Sequence, residues 1–239
     1  MTVFALCVEP GAAAPGMVAG LASRLGLKLF DQRTFELAVA ARSDFSDRKL
    51  HSYSSGTPLP AALRDIRIEQ LASRIREEVL EVVAAGNALI VGWSAIPILR
   101  PFEHVPRVLL RAPDRFRHSA TMRQFGYQHI GTAQLEVDST DGLIGRFLQR
   151  LYGCDWRAPD NFDLVVDSSR VPARLQLDLV ELLVGNATFQ DTPEVRTRVA
   201  AALDMLRLHE ALHPGEGPQP DVEPVPPRPA TNASRRYAQ

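Results

Sequence analysis

The chain has 239 residues, 45% of them hydrophobic and 23% charged, with 27 basic against 28 acidic side chains and two cysteines. This length suits one large domain with a sizeable core, and a net charge near zero excludes a strongly basic nucleic-acid binder. Cys7 and Cys154 alone build neither a disulfide framework nor an all-cysteine zinc site, so reduced thiols in a cytoplasmic protein are expected.

The apolar start Val3–Val8 has no basic flank and is interrupted at Glu9-Pro10, which argues against a secretory signal. No apolar run reaches the roughly 20 residues of a membrane helix, so a soluble chain with no membrane partner is expected. Val3–Val8 shows no alternation and reads as a strand buried on both faces, as in a parallel sheet. A Pro/Gly/Ala turn follows, then a helical pattern to Leu25, stopped by Gly26. Leu27–Phe30 reads as a second strand ending at Asp31, and Thr34 to Arg42 as a short helix. The stretch His51 to Pro60 reads as a loop.

Ala61 to Ala85 is the strongest helical pattern, with Leu63, Ile66, Leu71, Ile75, Val79 and Val82 forming its apolar stripe. Ala88–Val91 and Val105–Leu110 are the third and fourth strands. Ala112-Pro113-Asp114 opens a further helix with an acidic first turn. Asp141 to Tyr152 is helical in pattern, Phe162–Val166 is the fifth strand, and Ala173 to Val184 is the helix behind it. Asp191-Thr192-Pro193-Glu194 starts another helix, with Val195, Val199, Ala202, Leu203 and Leu206 on one face; it is expected to dock on its own domain. From His213 to Gln239 the chain carries seven prolines and few large apolar residues, a composition expected to stay disordered. Short apolar strands alternating with helices predict a doubly wound α/β domain with a mostly parallel sheet.

In such folds the turn after strand one faces the ligand, where backbone N–H groups at a helix N-terminus cradle phosphates. Here that turn is Glu9-Pro10-Gly11-Ala12-Ala13-Ala14-Pro15-Gly16-Met17. Gly11 and Gly16 stand five apart, the glycine spacing of a Walker A loop. Met17 and Val18 occupy the positions of its phosphate-reaching lysine and its magnesium-binding hydroxyl. There is no G-x-G-x-x-G run, G-x-S-x-G elbow, H-E-x-x-H or CxxC, and no basic stretch with interleaved aromatics, so neither a metal site nor a nucleic-acid partner is expected.

Several segments in order carry a resemblance. They are Glu9-Pro10-Gly11 running into a helix that ends Leu21-Ala22-Ser23-Arg24-Leu25-Gly26, Leu29-Phe30-Asp31, Ala88-Leu89-Ile90-Val91-Gly92, and Arg107-Val108-Leu109-Leu110-Arg111-Ala112-Pro113. Tyr152-Gly153-Cys154-Asp155-Trp156 and Phe162-Asp163-Leu164-Val165-Val166-Asp167-Ser168-Ser169-Arg170 complete the set. From about Val3 to Leu183 the chain resembles the cytidylate-kinase-like family, P-loop relatives of nucleoside monophosphate kinases.

The resemblance implies a P-loop nucleotide-kinase-like domain over residues 1–186, with a helical arm at about 33–85 and a lid at about 124–152. A C-terminal helix over 187–212 and a Pro-rich tail over 213–239 lie outside it. By the same resemblance Gly11, Ala12, Ala13, Ala14 and Gly16 would lie under the donor phosphates. Asp31, Trp93 and Arg170 would meet the acceptor, and Arg117 and Arg146 would serve the transferring group, with ATP and Mg²⁺ as cofactors if the protein is active. Three departures stand against activity. The family's inner loop glycines fall on Ala12, Ala13 and Ala14 and its basic residue on Pro15, its third-strand arginine falls on Trp93, and of its two lid arginines, aligned with Ile144 and Arg146, one remains. Alanine brings a Cβ to a phosphate-facing backbone, and proline removes an N–H.

Each of these residues also has a plain structural reading: Asp31 as a helix N-cap, Arg117 on a solvated helix face, Trp93 as a packing residue. The leading expectation is a divergent member with weak or lost phosphoryl transfer and a binding or regulatory role, exerted on nucleotide or through a protein partner. The alternatives are an active kinase moving the ATP γ-phosphate to CMP or another small acceptor, and a helical protein-interaction module.

Overall fold

The computed structural model describes residues 2–43, 46, 50–51, 68–92 and 94–212. Among the described residues five strands form one sheet: β1 (Val3–Val8), β2 (Lys28–Phe30), β3 (Ala88–Val91), β4 (Arg107–Arg111) and β5 (Leu164–Asp167). Their order is β2-β3-β1-β4-β5, and every pairing is parallel. From β1 the chain runs to β2 on one side, returns through β3 and crosses to β4 on the other. The sheet therefore switches direction beside β1, where a crevice opens beyond the carboxyl ends of the strands.

Strand pleating sorts the apolar residues into two cores. Ala5 and Cys7 of β1, Ala88 and Ile90 of β3 and Leu109 of β4 face one side. Phe4 and Leu6, Leu89, and Val108 and Leu110 face the other. All of them are buried, which is why the strands read as continuous apolar runs. Helices α1 (Met17–Leu25) and α7 (Ala173–Val184) cover the second face. Helices α2 (Gln32–Ala41), α3 (Ile68–Ala85), α4 (Ala95–Leu99), α6 (Ile130–Tyr152) and α8 (Pro193–Leu212) cover the first. Helix α5 (Asp114–Phe125) packs along α6. No helix among the described residues is long and apolar enough to cross a membrane.

Some boundaries differ from the sequence expectation. The fourth and fifth strands sit one or two residues later than the apolar runs, because Arg107 and Asp163 hold the start of each: Arg107 N donates to Asp163 Oδ2 at 2.9 Å, and Asp163 N donates to the Arg107 carbonyl at 2.8 Å. Helix α6 begins at Ile130 rather than near Asp141. Ala133 and Val137, one turn apart and fully buried, seat its polar first half. Helix α4, with Pro97 inside it, has no counterpart in the pattern reading. Residues 52–67, Trp93 and the tail 213–239 lie outside the described residues, and with them the first turns of the Ala61–Ala85 helix, the disordered tail and all of the expected His51–Pro60 loop but His51, which is helical together with Leu50. Ile144, aligned with a lid arginine, lies in the core at 4% exposure.

Candidate functional site

The turn after β1 is shaped by two glycines. Gly11 (φ 77°) and Gly16 (φ 75°) both take the left-handed conformation. At Gly11 a Cβ would sit 2.6 Å from the Arg117 carbonyl oxygen and 2.7 Å from Thr121 Oγ1, so α5 presses directly on the loop and glycine is required for packing. Gly16 is the N-cap of α1. Ala12 N donates to the Glu9 carbonyl at 2.8 Å and Met17 N to the Ala14 carbonyl at 3.1 Å. The N–H groups of Ala13, Ala14 and Gly16 have no acceptor among the described residues. Met17 points inward and packs in the core at 6% exposure.

A cavity of about 340 Å³ lies over this turn, between Gly11–Pro15, the Phe116–Gln124 face of α5 and the segment from Ser168 to Gln176. Its walls are mostly apolar. Arg123 is its cation and forms no ion pair among the described residues. Phosphate fits the backbone of the turn, because three N–H groups stand free beside the positive end of α1. The magnesium part of a nucleotide complex fits less well. Val18 supplies no hydroxyl, and among the described residues no group of three His, Cys, Asp or Glu side chains is placed to hold a metal ion.

Beside the turn lies a buried ion cluster. Glu9, 3% exposed, accepts from Ala112 N through Oε2 at 3.1 Å. Its Oε1 lies 2.9 Å from Arg157 Nε, and its Oε2 lies 3.7 Å from Arg117 Nε. Arg117, 2% exposed, donates to Asp141 Oδ2 at 2.8 Å and to Asp114 Oδ1 at 2.6 Å. Arg157 reaches the same Asp141 oxygen at 2.5 Å. The cluster therefore ties the end of β1, the start of α5, the middle of α6 and the segment after α6. The Arg117 hydrogen bond holds the Asp114 carboxyl below its usual range.

The residues singled out from sequence separate into different places. Gly11, Ala12, Ala13 and Ala14 line the cavity. Arg117 is not on its wall; its guanidinium is enclosed by three carboxylates, which replaces the solvated-face reading. Asp31 caps α2, accepting from Thr34 N at 2.8 Å and from Thr34 Oγ1 at 2.7 Å. Arg146 lies exposed on α6, along a groove separate from the cavity. Arg170 is exposed just after β5, its N–H donating to the Asp167 carbonyl. Trp93 lies outside the described residues.

Sequence reasoning missed Glu9 and Arg157 as parts of the site. Glu9 is the acidic residue closing an apolar strand, a signal of burial with a partner. Nothing local to Arg157 marks it, since its position arises from tertiary packing.

Comparison with known proteins agrees with this architecture. A solved structure of an uncharacterized protein from Eubacterium ventriosum has the same fold, with a TM-score of 0.60 at 14% identity, covering 77% of this chain and 97% of that one. A cytidylate kinase from Pyrobaculum arsenaticum is 23% identical over 169 residues, 71% of this chain and 85% of that protein. The sequence model of the cytidylate kinase-like family matches residues 5–170, the span from within β1 to just after β5 that holds the turn, the ion cluster and all of the cavity wall but its Val171–Gln176 side. Sequence and architecture thus converge on the same stretch, and the chain belongs to the cytidylate kinase-like family.

Proposed function

We propose that the protein is a nucleotide-binding member of its family in which phosphoryl transfer is weak or lost. The observation that carries this reading is Met17, seated in the core at 6% exposure where a phosphate-binding loop places its lysine. Pro15 beside it offers no N–H. Arg117 is held by Asp114 and Asp141 and is turned away from the cavity. Phosphoryl transfer rests on positioning and charge stabilisation, with a single transition-state arginine worth about 10³–10⁵ in rate. Removing several such groups leaves binding without chemistry. ATP would place its phosphates on the N–H groups of Ala13, Ala14 and Gly16, with its base between α5 and the Val171–Ala173 segment beside Arg123. The bound nucleotide then serves a regulatory role, exerted through a protein partner in the cytoplasm.

Titration calorimetry with Mg²⁺–ATP, alone and with CMP, together with a CDP-forming assay, tests this. The expected result is weak ATP binding that Pro15→Arg strengthens, with no measurable turnover. Turnover in the ordinary kinase range, about 1–100 s⁻¹, would overturn it. The second reading, an active kinase acting on CMP or another small acceptor, is supported by Arg123, Arg146 and Arg150, which form no ion pair among the described residues and stand free to meet phosphates; that assay decides between the two.

A further inference from the structure

A magnesium ion bound with a nucleotide is held by oxygen donors of the protein, chiefly carboxylates and a hydroxyl, that share it with the phosphates. The cavity over the turn is poor in such donors. No aspartate or glutamate among the described residues lines it, and Val18 stands at the position of the loop hydroxyl. The side-chain hydroxyl on its wall is that of Ser168, which belongs to the segment after β5 and donates to Gln176 Oε1 at 3.5 Å. Gln176, 3% exposed, is itself held by donating to the Val171 carbonyl at 2.6 Å.

The acids near the carboxyl ends of the strands have other partners. Glu9, beside the turn, has Arg157 Nε 2.9 Å from Oε1 and accepts from Ala112 N through Oε2 at 3.1 Å. Asp141 gives Oδ2 to Arg117 and Arg157, and its Oδ1 is buried away from solvent. Asp114 accepts from Arg117. Asp167, at the end of β5, accepts from Ser169 N at 2.9 Å and from Ser169 Oγ at 2.6 Å. Asp31 caps α2. Beside the turn, the chain's own guanidiniums therefore take the carboxylates that a divalent ion would require.

What the wall does offer is positive. The N–H groups of Ala13, Ala14 and Gly16 have no acceptor among the described residues and stand at the N-terminus of α1. Arg123 forms no ion pair among those residues. Both attract a polyphosphate the more strongly the more charge it carries. Magnesium cancels roughly half of the charge on ATP and occupies phosphate oxygens that the N–H groups would otherwise meet. The wall returns no carboxylate to hold the ion.

We propose that this site takes its nucleotide as the metal-free anion and that magnesium weakens the binding. The proposal rests on the nucleotide-binding reading given above and adds to it the ionic form of the ligand. Occupancy then falls as free magnesium rises and depletes metal-free ATP, so the site responds to the ratio of nucleotide to magnesium.

Calorimetry on the full chain compares ATP in excess EDTA with ATP in excess magnesium chloride, at matched low ionic strength. Metal-free ATP is expected to bind about fivefold or more tighter than Mg²⁺–ATP, since charge differences are least screened at low salt. Arg123→Gln, at an exposed position, is expected to weaken metal-free ATP more than Mg²⁺–ATP and so to narrow that ratio. Equal affinity for the two forms, or tighter binding of Mg²⁺–ATP, would overturn the proposal and leave nucleotide binding standing. A ratio that Arg123→Gln leaves unchanged would overturn the part given to Arg123. No heat from ATP in either form would overturn the nucleotide-binding reading and this proposal together.

Discussion

Arg117 shows how one side chain changes meaning between sequence and structure. On a helix start after Ala112-Pro113 it reads as a phosphate-gripping arginine, but its partners Glu9 and Asp141 come from elements far away in the chain. Once buried among carboxylates it is a structural centre, since a charge taken from water persists only when paired. Arg117→Ala leaves Glu9 and Asp141 with the more exposed Arg157 alone and is expected to destabilise the fold by about 3–5 kcal/mol, read from urea unfolding. An unchanged midpoint would show that the cluster contributes nothing. Gly11 makes a second case. A side chain there must adopt positive φ, at about 1–3 kcal/mol, and must also displace the Arg117 carbonyl 2.6 Å away. Gly11→Ala is therefore expected to unfold at lower urea even with no nucleotide present, which separates its packing role from any role in binding. Such tertiary partnerships are what the sequence conceals: residue types at the site are legible, while their pairing depends on which loops the sheet brings together.

Among the elements, legibility follows the strength of the local pattern. Strands β1 and β3 were readable because both faces are covered and every position is apolar. The first half of α6 was not, because only Ala133 and Val137 of its polar turns reach the core. Helix α8 is readable from Asp191 and Pro193, and the structure shows what holds it: Val199 and Leu203 share one apolar cluster with α3 and Leu206 is buried as well, with an arginine–glutamate lattice around them. Arg74 bridges Glu77 and Glu210 at 3.0 and 2.9 Å. Arg207 reaches Glu77 and Glu81, and Arg42 meets Glu78 and Glu81. Leu203→Ala is expected to cost about 2–5 kcal/mol, measured by denaturation. The lattice adds a pH dependence. Hydrogen bonding from Arg42 lowers the Glu81 pKa below its ordinary 4.5, so its contribution is complete above pH 4.5 and is lost as pH falls through the depressed value. Glu78, raised by burial, contributes in the opposite sense, favouring the fold at low pH and losing that advantage as pH rises past 4.5. Circular dichroism against pH in the Glu81→Gln variant should show a smaller acid-side loss than the parent. An identical acid limb would remove Glu81 from the account.

For the whole molecule, α8 lies outside the family match at 5–170 yet completes the core on one face of the sheet. Leu71, Ile75 and Val79 of α3 belong to the same apolar cluster as Val199 and Leu203. Opposite this docked face, α8 carries Met205, Leu208 and Leu212, exposed at 66%, 54% and 66%. Two accounts of the helix therefore predict different outcomes for one deletion. If α8 is chiefly an interaction module, removing residues 190–239 leaves a stable monomer and abolishes any self-association of the parent. If docking is its main role, the same deletion uncovers the apolar face of α3. The docked geometry favours the second account, because exposing a contiguous apolar patch both lowers stability and promotes association. The truncated chain is expected to melt several degrees lower than the parent, the scale set by about 2–4 °C per kcal/mol for a domain of this size. In light scattering it is expected to show a larger mass per particle. A truncated chain that melts with the parent and stays monomeric would assign α8 to partner binding alone.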